Sequence, residues 1–113
     1  MSDSSIRRAD AEPAATAAAG PKLLVSGKHV AMRLWDIEPG GAPPSGLCAY
    51  ETVGLVIAGR AELVIEGQVI PLRPGDAWVV PKGAEHSYRI FERFQAVEAT
   101  APPAQSIPAA DGR

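Results

Sequence analysis

Gly75-Asp76-Ala77-Trp78-Val79-Val80-Pro81-Lys82-Gly83-Ala84-Glu85-His86 places one strand between two turns and ends on a histidine. Pro74-Gly75-Asp76 is turn chemistry, because proline presets one φ and glycine allows a positive one. Ala77 to Val80 is a short, apolar, β-prone run, and Pro81-Lys82-Gly83 closes it with a second turn. His86 then opens a further strand, Ser87-Tyr88-Arg89-Ile90-Phe91.

The pattern continues outward on both sides. Upstream, Leu23-Leu24-Val25 ends at Ser26-Gly27-Lys28, and His29 to Ile37 follows as a longer run whose two faces differ only partly. Pro39-Gly40-Gly41-Ala42-Pro43-Pro44-Ser45-Gly46 is a break. Thr52 to Ala58 is β-rich, Gly59 allows a tight corner, and Ala61 to Ile65 returns through Glu66-Gly67 as a hairpin into Gln68-Val69-Ile70-Pro71-Leu72. Pro71 cannot donate to a ladder, which puts its strand at a sheet edge or bulge. Phe94 to Ala99 is the last strand. Many short strands, regular turns and no helical period predict an all-β sandwich or barrel.

The spacing from Gly75 through Pro81 and Gly83 to His86 resembles the second sequence motif of the cupin superfamily, G-x5-P-x-G-x2-H-x3-N, with Ile90 in place of the Asn. Gly40 and Gly59 are similarly spaced to the outer glycines of the family's first motif, G-x5-H-x-H-x3-4-E-x6-G. In that register Gly46 and Cys48 stand where the two histidines would be. Thr52 takes the acidic position, with Glu51 one residue early. The resemblance spans roughly residues 23 to 100. It implies a cupin-type jelly-roll β-barrel, RmlC-like, with a ligand site lined by His86, Cys48, Tyr50, Thr52, Trp78 and Tyr88. The chain has only two histidines, His29 and His86, so a three-histidine site within one chain is impossible on count. If a divalent metal (Zn, Fe, Mn or Ni) binds, its ligands are His86, Cys48 and Glu51 or a water.

Besides a structural or regulatory partner protein whose tails dock elsewhere, two function classes follow. One is a barrel that holds a small organic ligand in its central pocket without the three-histidine centre. The other is a metal-dependent cupin enzyme, of dioxygenase or isomerase type, with a reduced ligand set including His86 and Cys48. Each residue also has a plainer role: His86 as a packed polar residue, Cys48 as a buried inert thiol, Trp35, Trp78, Tyr50 and Tyr88 as core aromatics. His29 reads as surface, and Arg60, Glu62, Arg89 and Arg93 as solvated strand positions.

Composition bounds the rest. With 113 residues and 46% hydrophobic content the chain makes one domain with a packed core. A net charge of -2 without a basic block argues against nucleic acid. No run reaches the ~20 apolar residues of a membrane span. A single cysteine allows no internal disulfide and fits a reducing, cytoplasmic setting. Residues 1–20 read as a flexible arm, 21–100 as the barrel and 101–113 as a Pro- and Ala-rich tail. The resemblance further implies a homodimer, and the open edges of a jelly roll give a physical motive for one.

Overall fold

The computed structural model describes residues 20–104. The arm expected over residues 1–20 lies outside them except for Gly20, as does the tail beyond Ala104. Nine strands follow in order: β1 (Lys22–Ser26), β2 (Ala31–Ile37), β3 (Gly46–Leu47), β4 (Glu51–Ala58), β5 (Ala61–Ile65), β6 (Gln68–Leu72), β7 (Ala77–Val80), β8 (Glu85–Ile90) and β9 (Phe94–Ala101). No helix occurs among the described residues, so none there is long and apolar enough to cross a membrane.

The strands form two antiparallel sheets. One has the order β1-β2-β9-β4-β7 and the other β3-β8-β5-β6, which is the expected all-β jelly roll. Strand alternation builds the space between them. Along β9 burial strictly alternates from Phe94 to Thr100, and in β7 Trp78 and Val80 are buried while Ala77 and Val79 are exposed. Trp35, Ile37, Val56, Leu63, Leu72, Val80 and Phe94 form the fully buried centre.

The turns behave as their residues require. Glu66 (φ 50°) and Gly67 (φ 82°) both take positive φ in the two-residue β5–β6 hairpin, where such turns match strand twist. β6, carrying Pro71, is an edge strand of its sheet. Gly59 has φ 88°, and a Cβ there would lie 1.9 Å from the Arg93 carbonyl oxygen, so the corner needs both the left-handed backbone and the missing side chain.

Three expectations change. The break ending at Gly46 contains a strand, because Gly46 and Leu47 pair with His86 and Glu85. A two-residue strand has no periodicity of its own to read. The run expected from His29 becomes a strand only at Ala31. Arg93 is solvated but is not a strand residue: it sits in the β8–β9 turn and clasps the buried Asp36, with Nε to Oδ1 and Nη2 to Oδ2 both at 2.8 Å. That guanidinium holds the Asp36 carboxyl below the usual carboxylate range.

Candidate functional site

The polar residues of the interior gather at one end of the barrel. There the β3–β4 and β7–β8 loops are stitched together: Cys48 N donates to Ala84 O (3.1 Å), and Gly83 N donates to Cys48 O (2.7 Å). The start of β4 and the end of β9 reach the same end, since Glu51 pairs with Ala101.

His86 sits beside the β3 edge, nine-tenths buried. Its Nδ1 lies 2.9 Å from the Gly46 carbonyl oxygen. A carbonyl only accepts, so Nδ1 carries the proton in this contact. The ring stands edge-on to Tyr88, with centroids 5.5 Å apart. The Cys48 thiol donates to the Tyr50 carbonyl and lies 4.0 Å from Thr52 Oγ1. Thr52 faces inward opposite Thr100. Trp78 Nε1 donates to Tyr88 Oη at 3.0 Å. Burial drives the Tyr88 phenol far above its ordinary range, only partly offset by that hydrogen bond. It is therefore a neutral O–H donor, not a base.

One cross-strand row crosses the inner face here: Arg33 opposite Glu98, Glu98 opposite Gly54, Gly54 opposite Trp78. Gly54 leaves room for the Trp78 indole, whose Cη2 would be 2.4 Å from any Cβ at that position. Arg33 Nε and Nη2 both approach Glu98 Oε2 at 2.5 Å, with side-chain exposures of 6% and 1%. Arg33 Nη2 also donates to Tyr50 Oη at 3.2 Å, and the guanidinium lies 5.5 Å from the Tyr50 ring centroid. Burial pushes the Glu98 carboxyl up, and the Arg33 charge pulls against it. The fully buried Trp35 indole N–H leans toward the same carboxylate without reaching hydrogen-bond geometry.

Of the residues expected at the site, His86, Cys48, Thr52, Trp78 and Tyr88 are buried and Tyr50 is half-buried, all on the inner side or the connecting loop. Glu51 is not with them. It precedes Thr52 on β4, so alternation points it outward, and it is exposed. The Cys48–Glu51–His86 set is thus not brought together, and no other group of three His, Cys, Asp or Glu side chains among the described residues is placed to hold a metal ion. The residues at the family's ligand positions do not fit a metal: Gly46 and Thr52 supply no strong donor, so Cys48 and His86 alone fall short of the three or four ligands such a site needs. Arg33 and Glu98 went unread in the sequence. Their signal was phase, since Arg33 alternates with Trp35 and Ile37, and Glu98 with Ala96 and Thr100.

Space is distributed differently from the expected central pocket. The middle of the barrel is filled by Trp35, Trp78, Tyr88 and Phe94, whose rings meet edge to face, Trp35 lying 4.8 Å from Tyr88 and 5.9 Å from Phe94. A cavity of about 740 Å³ opens instead where β3 meets β8, lined by Ser45, Gly46, Glu66, Glu85, His86 and Ser87 among others. A second, of about 400 Å³, lies at the same end between Ile65, Glu66 and Pro81 to Ala84.

Comparison with known proteins matches the Cupin domain family model to residues 33–93. No curated protein matches the chain. Among solved structures, an RmlC-like cupin with a double-stranded β-helix fold from Methanocaldococcus jannaschii superposes with TM-score 0.71 at 17% identity, covering 86% of this chain and 92% of that one. KdgF from Halomonas sp. gives TM-score 0.64 at 23% identity, covering 73% and 76%. A candidate sugar phosphate isomerase from Acidithiobacillus ferrooxidans gives TM-score 0.56 at 27% identity; it covers 65% of this chain, which spans half its length.

Proposed function

From a chain that belongs to the cupin domain family, and whose donor set does not suit a metal, we propose a binding barrel for a small organic ligand at the His86 end. The observation that carries this reading is the cavity of about 740 Å³ beside His86, where β3 meets β8. The buried Arg33–Glu98 pair lies inside the barrel and lines no part of that cavity.

The class of ligand follows from the lining. The cavity beside His86 presents two carboxylates, Glu66 and Glu85, and two hydroxyls, Ser45 and Ser87, with no cationic side chain among its lining residues. An acceptor-rich wall suits a ligand rich in donors, a neutral polyol or an amine, and repels phosphate. Sugars meet the first description. The A. ferrooxidans likeness supports a sugar-type ligand, and this lining argues against a phosphorylated one.

Isothermal titration with a panel of neutral sugars, amino sugars and sugar phosphates tests the reading. Binding of a neutral or amino sugar, weakened at least about tenfold in a folded His86→Ala variant, is the expected result. Elemental analysis belongs in the same experiment. About one Zn, Fe, Mn or Ni per chain, lost in both Cys48→Ser and His86→Ala, would overturn it in favour of the metal-dependent enzyme.

A further inference from the structure

The inner face of the five-stranded sheet ends, at the His86 end of the barrel, in one cross-strand row: Ala31 on β2, Thr100 on β9, Thr52 on β4 and Val80 on β7. Each is the terminal residue of its strand or the one next to it. A last row at an open mouth would meet water, yet these four are between 0% and 3% exposed. On one side the β3–β4 loop covers the row, with Cys48 Sγ 4.0 Å from Thr52 Oγ1. On the other side the cover is the chain's own continuation past β9. Exposure falls along it, from exposed Ala101 and Pro102 through half-buried Pro103 to buried Ala104. Ala104 N donates to Thr100 Oγ1 at 2.8 Å. The chain thus leaves β9, turns back and lays Ala104 across the row.

We propose that residues 102–104 are a strap that closes this end of the barrel and opens without unfolding it. The attachment is light. Pro102 and Pro103 have no N–H and extend no ladder, so Ala104 N is the first backbone donor after β9. Breaking its bond to a threonine hydroxyl is a local event, and β9 stays paired to β2 and β4 on either side. Proline fixes φ at both intervening residues, so the segment swings as a stiff arm about Ala101. Behind the strap, the next inner row holds Arg33 opposite Glu98. Closure keeps that pair out of water at a desolvation cost, and opening admits water and small polar solutes to it. The strap is therefore a gate to the polar interior. None of residues 102–104 lines the cavity beside His86, so the gate and the ligand cavity are tested separately.

Hydrogen exchange and thiol labelling on the full 113-residue chain test the proposal. Cys48 is the chain's single cysteine and is buried beside Thr52, so its labelling by dithiobis(nitrobenzoate) reports on the covered row. In the wild type the Ala104 amide should be protected at least about tenfold over an unfolded chain, and at least about tenfold less than the β9 amides, because the strap opens locally. Thr100→Val removes the acceptor, and Ala104→Asp places a carboxylate in the buried position. Each should speed Cys48 labelling at least about tenfold while β9 amide protection is unchanged. An Ala104 amide that exchanges like an unfolded chain, or in step with β9, overturns the proposal. So does labelling at the wild-type rate in both variants. Faster labelling with an equal loss of β9 protection also overturns it, by making the contact part of the global fold. If neither variant folds, the wild-type exchange pattern decides.

Discussion

Two arginine–carboxylate pairs start from β2 three residues apart and end in different chemistry. Arg33 points inward and meets Glu98 across the ladder, where both side chains are buried. Asp36 points outward, and Arg93 reaches it from the β8–β9 turn with its own side chain half exposed. In the outer pair, hydrogen bonding wins and the carboxyl is held low. In the inner pair burial wins and the carboxyl is pushed up despite the neighbouring guanidinium. The same two functional groups thus act as a structural clasp outside and as a strained polar centre inside. Solvent access to the cation makes the difference, because a half-exposed guanidinium keeps most of its hydration while a buried one does not.

Removing one partner of the inner pair tests this most severely. Arg33→Met leaves a buried carboxylate alone and should cost about 3–5 kcal/mol in denaturant unfolding. Arg33→Met with Glu98→Leu should recover most of that loss. A single-variant cost under about 1 kcal/mol would mean that the pair is hydrated and that the contrast fails.

Gly59→Val strikes the corner that positions Arg93. Backbone strain at φ 88° costs of order 1–3 kcal/mol, and the Cβ contact with Arg93 O adds to it. Thermal unfolding reads the loss. Gly67→Val, where no atom lies within 4 Å of the added Cβ, should show only the strain.

The gentlest test separates the pairs by pH. The Asp36 carboxyl is lower in the folded than in the unfolded chain, so it stabilises the fold above the ordinary carboxylate value of ~3.9, and that stabilisation is lost as pH falls through its lowered folded value. The stability difference between wild type and Arg93→Ala should therefore be complete above pH ~4 and shrink below it. Glu98 has the opposite sign: its folded value is raised, so the fold loses stability as pH rises from the ordinary value to the folded one. Arg33→Met raises it further, so that variant's deficit should keep growing above pH ~4. Unfolding curves between pH 3 and 8 distinguish the two profiles, and coincident profiles would erase the contrast.

How far the site was legible follows from the same residues. Gly75 to His86 read correctly because its turns are local: Pro74, Gly75, Pro81 and Gly83 set φ without help from the rest of the chain. Motif spacing singled out Cys48, Thr52 and His86, and the β3–β8 ladder brings Gly46 beside His86. Glu51 was misplaced by one position, which on a strand reverses the side chain's direction. Arg33 and Glu98 are 65 residues apart and carry no motif, so nothing local announces their pairing.

The sequence by itself determined the all-β jelly roll, the hairpins and corners, and a histidine count too low for the family's three-histidine centre. Those properties rest on short-range φ preferences, on a period of two and on composition. Tertiary structure alone decided which phase of β2 is buried, that Glu98 faces Arg33, and that the barrel centre is filled by aromatic rings. A period of two separates the faces of a strand but does not say which face is covered; only the neighbouring sheet does that.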